Sequence, residues 1–177
     1  MSEITVKRMR SGDLAEVKVL EQESSLSTWS LRDYEEEITR KGSICLVARS
    51  KEAAPEIAGF LLARMFISTD SPLELSARAN SDKSKNRNFA EINNIAVNPV
   101  RRRMGIGSKL IDHLISEVKT EVREIWLEVR ESNTSAIGFY KDLEFSKQYV
   151  RKNYYARPIE NAVVMMRTLA WQIKPCH

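Results

Sequence analysis

The chain has 177 residues, which fits one domain of roughly 100–200 residues, so we expect residues 1–177 to form a single domain. Lys and Arg number 28 against 24 Asp and Glu, and a net charge of +4 is weak support for a polyanionic partner. No run of 18 apolar residues occurs, and the N-terminal residues lack the segments of a secretory signal, so we expect neither a membrane span nor export. Two cysteines, Cys45 and Cys176, exclude a disulfide framework and favour a reducing cytoplasm.

The histidines argue against two classes of enzyme. Only His113 and His177 are present, and the paired Cys/His spacing of a structural zinc site does not occur. A Ser-His-Asp site would have to use His113, which lies within a helical pattern. Hydrolases and metalloenzymes are therefore poor interpretations, and we expect no metal.

The N-terminal part of the chain, after an initial strand, predicts two helices. Apolar residues at a three-residue step after Asp13, a suitable N-cap, predict a first helix near 13–23. Ser30 and Asp33 have the spacing of a capping box and predict the start of a second helix. Gly42 is expected to end that helix in the usual C-terminal position.

Two short apolar runs follow, at 43–48 and 57–62. They are joined by a polar turn that contains Pro55, and they predict adjacent antiparallel strands. Residues 68–88 interrupt the pattern with five Ser and three Asn, which predicts a flexible polar insertion.

The second half of the chain returns to regular periodicity. Its clearest helix has apolar residues on one face over 106–118, and its clearest strand alternates Ile125, Leu127 and Val129 with polar residues. The remaining elements are predicted as a strand at 89–97, a short helix capped by Asn133 or Thr134, and strands near 145–152 and 162–169. The predicted order is β-α-α-β-β-β-α-β-α-β-β.

One turn between a strand and the strongest helix combines glycines with arginines. Gly105 and Gly107 follow three consecutive arginines, 101–103. Glycines let backbone N–H groups approach a ligand, and a helix N-terminus offers unpaired donors and a partial positive charge. A Rossmann fingerprint would need a small residue where Leu110 stands, and the Gly-Lys-Ser/Thr of a P-loop is absent. The turn is therefore predicted to bind a pyrophosphate.

Residues 102–107 resemble the acetyl-coenzyme A signature Arg/Gln-x-x-Gly-x-Gly/Ala of the GCN5-related N-acetyltransferases (GNAT), and residues 94–99 resemble that family's bulged strand. The resemblance implies an α/β (α+β) fold with a mixed, mostly antiparallel sheet of six to seven strands and about four helices. It also implies acetyl-CoA as co-substrate, held where two central parallel strands splay. The implied coenzyme-binding residues are Ile95, Ala96, Val97, Arg102, Arg103, Met104, Gly105, Ile106, Gly107, Ser108 and Asn133.

Three further segments, 125–133, 136–140 and 151–155, resemble protein N-terminal acetyltransferases. The likeness is greatest to the RimI-type enzymes, which acetylate the N-terminal alanine of a small-subunit ribosomal protein. It is strong over about 89–168 and weaker at 28–30. It implies a ribosomal protein N-terminus as partner, with no membrane and no direct need for nucleic acid, and it leaves the oligomeric state open.

Two features depart from the family pattern. The family usually has Leu-Gly-Phe where this chain has Leu143-Glu144-Phe145, so Glu144 is strained if that turn needs a positive φ. The insertion at 68–88 is also longer than usual and bears on access to the peptide groove. The substrate is therefore less closely defined than the reaction.

Acetyl transfer from a thioester to an amine needs a neutral amine, a positioned thioester, stabilisation of the oxyanion and a proton for the departing thiolate. The resemblance implies that Glu128 is the base and that Tyr140 gives its phenolic proton to the coenzyme A sulfur. The residues alone favour a sheet-surface carboxylate paired with a neighbour such as Arg130 for Glu128, and a core aromatic for Tyr140. Glu91 is the second candidate for the base, and the choice between the two glutamates stays open.

Substrate binding is assigned to Trp29, Glu91, Tyr154 and Tyr155, because rigid aromatics with a polar tip suit recognition of a chain end. Core packing explains each aromatic equally well. Arg151 is interpreted as a solvated charge.

Two alternative functions remain. One is an acetyltransferase with broader specificity for N-termini, lysine or a small amine. The other is a non-catalytic ribosome- or RNA-associated module that uses the basic patches at 83–87 and 101–103, although a strand face with interleaved aromatic and basic residues is not evident.

Overall fold

The computed structural model describes residues 3–24, 29–51, 56–67 and 88–170. These ranges contain seven strands and four helices, and the predicted order of elements is confirmed. Their bounds are β1 Ile4–Arg8, α1 Leu14–Glu23, α2 Leu31–Thr39, β2 Ser43–Ser50, β3 Ile57–Phe66, β4 Phe89–Val97, α3 Ile106–Val118, β5 Glu124–Arg130, α4 Thr134–Asp142, β6 Ser146–Ala156 and β7 Ile159–Thr168. The turn at Pro55 and the insertion predicted at 68–88 lie outside the described residues, except for Asn88.

The strands form one mixed sheet in the order β1-β2-β3-β4-β5-β7-β6. The pairs β1–β2, β2–β3, β5–β7 and β6–β7 are antiparallel, whereas β4 and β5 are parallel. The mostly antiparallel sheet expected from the sequence is therefore confirmed. The parallel register runs from Phe89–Glu124 to Ile92–Leu127 and ends there, although both strands continue.

The chain divides into two compact units. One comprises Met1–Arg64 and Asn93–Glu117, and the other comprises Met65–Ile92 and Val118–His177. The single domain expected over residues 1–177 stays a prediction.

None of the helices in the described ranges has the length and apolar character needed to cross a lipid bilayer.

The two N-terminal helices begin close to where the sequence predicts. The capping box of α2 is confirmed, since the Asp33 N–H donates to Ser30 Oγ over 3.2 Å and the Ser30 N–H donates to Asp33 Oδ2 over 2.6 Å. Asp13 is the N-cap of α1, but among the described residues its carboxylate binds the Arg10 N–H and Arg49 rather than the helix.

The end of α2 differs from the prediction. The helix ends at Thr39 with Arg40 as an extended C-cap, and Gly42, with φ of 82°, lies in the turn that follows. The glycine is required by this turn into β2, and not by the helix terminus itself.

The core of the first unit lies between α1, α2 and one face of the sheet. Leu14, Val17 and Leu20 are buried from α1, and they pack with Tyr34 of α2. The sheet contributes buried side chains from β2, β3 and β4, namely Cys45, Val47, Ile57, Phe60, Leu62 and Ala96. Burial raises the pKa of the Cys45 thiol to about 12, so this cysteine is a small apolar core residue and not a nucleophile.

Gly59 of β3 allows a close approach of backbone and helix in the first unit. A Cβ at this position would lie 2.9 Å from the carbonyl oxygen of Ala96 and 3.1 Å from Ile106 at the start of α3. Glycine therefore sets how closely the first turn of α3 packs against the strand.

In the second unit, the alternation predicted for β5 is confirmed. Ile125, Leu127 and Val129 are buried on one face, and Trp126 and Glu128 face the other way. The final hairpin is longer than predicted, with strands at 146–156 and 159–168. The length of β6 is underestimated from the sequence because the C-terminal half of the strand departs from regular alternation.

Glu144 has φ of 65°, so the strain expected at the Leu-Glu-Phe turn is confirmed. Phe145 beyond it is buried against Tyr140, with ring centroids 5.7 Å apart.

We predict that Gly59→Ala lowers the free energy of unfolding by about 1–3 kcal/mol, because the added methyl overlaps backbone that cannot move away freely. Gly138→Ala is the matched control: it lies within α4, a Cβ there would meet nothing within 4 Å, and it should stabilise by about 1 kcal/mol. Urea unfolding of both variants measures the difference. Equal effects of the two substitutions would contradict the close approach at Gly59.

Candidate active site

The predicted pyrophosphate turn connects β4 to α3 within the first unit. Asn98 anchors its start: the Asn98 N–H donates to the Ala58 carbonyl over 2.9 Å, and its Oδ1 accepts from the Val100 N–H over 3.1 Å. A 3-10 turn, Pro99–Arg101, follows. Arg103 and Gly105 then have positive φ, 63° and 75°, which turns the chain into the helix.

The first turn of α3 presents its backbone donors at the end of this loop. The Lys109 N–H donates to the Gly105 carbonyl over 3.0 Å, which is the first bond of the helical ladder. The N–H groups of Ile106, Gly107 and Ser108 precede that bond and have no carbonyl one turn earlier. Together with the helix dipole, they form a site suited to an anion.

The three consecutive arginines differ in what they contact. Arg101 Nε donates to Glu56 over 2.6 Å, and its side chain is only 15% exposed. Arg102 Nε donates to the Val97 carbonyl over 3.3 Å, which ties the turn to the end of β4. Arg103 is exposed at the strained position, beside the partly exposed Met104. The basic patch expected at 101–103 therefore consists of one arginine that is paired with Glu56 and two further arginines at the turn.

The β4 residues that precede the turn alternate in burial. Ala96 is buried beneath Gly59, and Ile95 and Val97 are half-buried on the opposite face. On that same face the buried Oδ1 of Asn93 has no hydrogen-bond partner among the described residues.

In the second unit, Glu128 projects from β5 with a side chain that is 16% exposed. Its Oε1 accepts a hydrogen bond from Arg151 Nη1 of β6. The pairing with Arg130 that the sequence allows is not formed, since Arg130 donates to Glu160 over 3.0 Å. Arg151, interpreted from the sequence as solvated, is therefore the ion-pair partner of the candidate base.

Two adjacent tyrosines of β6, Tyr154 and Tyr155, interact with this ion pair. Burial, followed by a hydrogen bond to Glu128 and the charge of Glu128, raises the pKa of Tyr154 to about 12. Burial and the charge of Glu128 also raise the pKa of Tyr155. Tyr155 packs edge-on against Tyr154 with ring centroids 5.2 Å apart, and the Arg130 guanidinium lies 4.1 Å from its ring centroid.

Tyr140 in α4 is 7% exposed and packs between Phe139 and Phe145. Burial, followed by the charge of Tyr155, raises the pKa of Tyr140 far above its usual value. The phenol therefore stays protonated at neutral pH. Tyr155 contributes to the raised pKa of Tyr140, and the charge of Glu128 in turn raises the pKa of Tyr155, so electrostatic interactions link the candidate acid and the candidate base through Tyr155.

Glu91 lies on β4, the strand that pairs in parallel with the strand of Glu128. It lies opposite Trp126 in the parallel register, so it shares a sheet face with Glu128 two residues further along β5. Its charge contributes to the raised pKa of Tyr154. Asn133 caps α4: its Oδ1 accepts from the Ala136 N–H over 3.0 Å, which leaves its amide N–H₂ group for a ligand.

Trp29 in the first unit is held through its backbone by a buried ion pair that the sequence did not single out. The Trp29 N–H donates to Glu21 Oε1 over 3.2 Å, and its carbonyl accepts from Lys18 Nζ. Lys18 Nζ also lies 2.5 Å from the other oxygen of Glu21, whose side chain is 1% exposed. The indole packs against Tyr34 with ring centroids 5.4 Å apart. In the sequence, this ion pair is indicated only by Glu21, a glutamate on the apolar face of α1.

We predict that Lys18→Met lowers the free energy of unfolding by about 3 kcal/mol, because it leaves the Glu21 carboxylate buried without its cation. Arg32→Met is the matched control, since the Arg32–Glu36 pair joins side chains that are 83% and 55% exposed. That control should cost under about 0.5 kcal/mol. Chemical denaturation measures both, and a Lys18 variant as stable as the control would refute the buried pair.

Comparison with known proteins places these features in a family. The model of the acetyltransferase (GNAT) family matches residues 14–145. The [ribosomal protein bS18]-alanine N-acetyltransferase of Salmonella typhimurium is 46% identical over 79 residues, and that of Escherichia coli K12 is 44% identical over the same length. Each alignment covers 43% of this chain and 53% of the relative, so the chain matches about half the length of these curated relatives.

Solved structures show the same fold. The ribosomal-protein-S18-alanine N-acetyltransferase from Escherichia coli matches with a TM-score of 0.75 and 24% identity, covering 99% of both chains. Naa20 of Chaetomium thermophilum, solved with a bisubstrate analogue, matches with a TM-score of 0.77 and 26% identity over 93% of this chain and 86% of that one. NAA60 of Arabidopsis thaliana, solved with acetyl-CoA, has a TM-score of 0.78 and 19% identity over 94% of this chain and 98% of that one.

The turn at a helix N-terminus, the mixed sheet and the family match over residues 14–145 lead to one conclusion: the chain belongs to the GNAT acetyltransferase family.

Proposed function

We propose that the protein is an acetyl-CoA-dependent Nα-acetyltransferase of the RimI type. Its substrate is the N-terminal alanine amine of a small-subunit ribosomal protein, which attacks directly in a ternary complex in the cytoplasm. The names of the curated relatives support the substrate class. The observation that carries the proposal is the Glu128 carboxylate, which Arg151 holds on the sheet face that also carries Glu91.

The residues of the first unit fit the diphosphate of coenzyme A. Gly105 has a positive φ and open space where a Cβ would be, so a ligand can approach the backbone. The backbone N–H groups of Ile106, Gly107 and Ser108 are the donors assigned to the diphosphate. Arg102, Arg103 and Met104 precede them in the turn and are assigned to the coenzyme as well. The backbone of Ile95, Ala96 and Val97 is assigned to the pantetheine arm, with the unpartnered Asn93 Oδ1 as a nearby acceptor. When bound, the coenzyme supplies the acetyl group as a thioester.

Acetylation of an N-terminal amine requires only a weak base. An N-terminal amine has a pKa of about 7.7–8.0, so about a tenth is neutral at pH 7, whereas a lysine with a pKa of about 10.4 is less than about a thousandth neutral. A carboxylate that accepts one proton, directly or through water, is therefore sufficient for an α-amine.

We assign that role to Glu128. It is the carboxylate that β6 residues hold in place, and a carboxylate has about four acceptor positions, so it can accept from an amine while Arg151 is bound. Glu91 lies on the same face and remains the alternative base, or a group that holds the substrate.

Tyr140 is assigned as the proton donor to the departing sulfur. Its buried phenol keeps its proton at working pH, so it can always donate a hydrogen bond to a developing thiolate. Tyr154, Tyr155 and Trp29 are assigned to the peptide, and Asn133 to the coenzyme through its amide group.

The test is acetyl-CoA turnover with peptides that begin with Ala, Ser or Met and with a peptide whose only free amine is a lysine, read by mass spectrometry. We expect acetylation at the N-terminal alanine. Glu128→Gln and Tyr140→Phe should each lower kcat by about 100-fold or more, because each removes one side of the proton transfer. Glu144→Gln and Tyr149→Phe, at exposed positions, are the controls and should change kcat less than about twofold.

Preferred acetylation of the lysine peptide would overturn the N-terminal assignment. Full activity in both Glu128→Gln and Tyr140→Phe would overturn the catalytic assignment and favour a binding role.

The coenzyme site makes a separate prediction. Arg103→Gln should weaken acetyl-CoA binding by about tenfold, because a charged hydrogen bond to phosphate contributes about 1.5–3 kcal/mol, and it should leave the KM for acetyl-pantetheine unchanged. Arg101→Gln is the control, since its guanidinium is bound to Glu56. Isothermal titration calorimetry measures the affinity. A similar loss with both thioesters would place Arg103 away from the diphosphate.

A further inference from the structure

Arg151, the β6 residue that binds Glu128, lies close to Tyr154 although regular strand geometry would separate these two residues. Arg151 and Tyr154 are three positions apart, and alternation places such residues on opposite faces of a sheet. The Arg151 guanidinium nevertheless lies over the ring of Tyr154. Tyr154 and Tyr155, although adjacent, also pack ring to ring.

A bulge in β6 explains this arrangement. Arg151 pairs with Ala162 and Tyr155 pairs with Glu160, so the three residues 152–154 lie opposite the single residue Asn161 of β7. Asn153, in the centre of the bulge, has φ of 53°. The two extra residues keep Tyr155 on the face that carries Arg151, and they release Tyr154 from regular alternation, so that its ring meets the Arg151 guanidinium.

The side chain of Asn161 pins this bulge to the end of β5. Its Oδ1 accepts from the Asn153 N–H over 3.0 Å, and its Nδ2 donates to Glu131 Oε2 over 2.8 Å. Glu131 follows β5 three residues after Glu128. The bulge and the strand that carries the carboxylate are therefore fixed to each other at two points, Asn161–Glu131 and Arg151–Glu128.

The Arg151 side chain is itself oriented. It is half-buried, and its guanidinium carbon lies 5.1 Å from the ring centroid of Tyr154, so the ring and the carboxylate together define its position. Its positive charge balances that of Glu128, and its hydrogen bond occupies Oε1. The remaining acceptor positions of the carboxylate stay available in a fixed direction.

We propose that Arg151, presented by the bulge that Asn161 pins, is a positioning residue that fixes the Glu128 carboxylate toward the attacking amine. This inference rests on the function proposed above. It predicts an effect on kcat and not on peptide affinity, because Arg151 acts through Glu128. A planar guanidinium is needed, since an ammonium lacks its fixed donor geometry.

The test compares Arg151→Ala, Arg151→Lys and Arg167→Ala with the alanine-first peptide. Arg151→Ala should lower kcat about 10- to 100-fold with peptide KM changed less than about threefold, because a misplaced group costs up to about 100-fold. Arg151→Lys should be intermediate. Arg167, a partly buried arginine of β7 paired with Glu144 over 2.7 Å, is the matched control and should keep its kcat.

Chemical rescue separates positioning from a structural role. Millimolar guanidinium chloride should raise kcat of Arg151→Ala several-fold and sodium chloride of equal ionic strength should not, whereas neither salt should stimulate the wild type or Arg167→Ala. Asn161→Ala should also lower kcat, and the Arg151→Ala/Asn161→Ala double variant should lose no more than Arg151→Ala alone, because both act through one carboxylate.

Several results would overturn the inference while the proposed function stands: wild-type kcat in Arg151→Ala, a change confined to KM, or equal rescue by sodium chloride. If circular dichroism shows that Arg151→Ala does not fold, unchanged kcat and KM in Arg151→Lys would overturn the inference instead. A wild-type protein that acetylates no N-terminal peptide would instead refute the proposed function, and this inference with it.

Discussion

A carboxylate that is buried away from water must accept hydrogen bonds from the groups around it. This constraint explains most of the side-chain contacts around Glu21 in the first unit and Glu128 in the second. In the first unit Glu21 is buried, and it receives Lys18 and the backbone N–H of Trp29. In the second unit Glu128 is held by Arg151, with Tyr154 beside it. In each case the donors that satisfy the carboxylate also fix an aromatic residue that is assigned to the peptide. Stabilisation of the fold and presentation of the site are therefore achieved by the same contacts.

The anion site depends on backbone geometry and not on side-chain charge alone. Gly59 lets the first turn of α3 pack closely on β3. The positive φ values of Arg103 and Gly105 turn the chain into the helix, whose first N–H groups have no carbonyl partner within the helix. The arginines differ in their contacts: Arg101 is bound to Glu56, whereas Arg103 is exposed, as its proposed role in binding the diphosphate requires. A cluster of like charges is tolerated here because one member is neutralised and the others face outward.

Features that depend on near neighbours in the chain were predictable. The capping box of α2 needs only Ser30 and Asp33, and the face on which Glu128 lies follows from the two-residue period of β5. The glycine and arginine pattern at 101–107 predicted the turn between β4 and α3, and the positive φ of Glu144 followed from the glycine expected there. For Glu128 and Tyr140, the resemblance to the family, and not the residues alone, favours catalytic roles over a surface carboxylate and a core aromatic.

The amino-acid sequence by itself determined the order of elements and the position of the turn between β4 and α3, because helix periodicity, strand alternation and caps are encoded within a few residues. The mixed sheet was expected from the resemblance to the family. Only the tertiary structure decided which charges meet. Glu128 pairs with Arg151, 23 positions away, and Arg101 pairs with Glu56, 45 positions away. The bulge in β6 has the same origin, since it forms where Asn161 of the facing strand accepts the Asn153 N–H. Such contacts arise from the register between strands and from packing, and no local pattern specifies them.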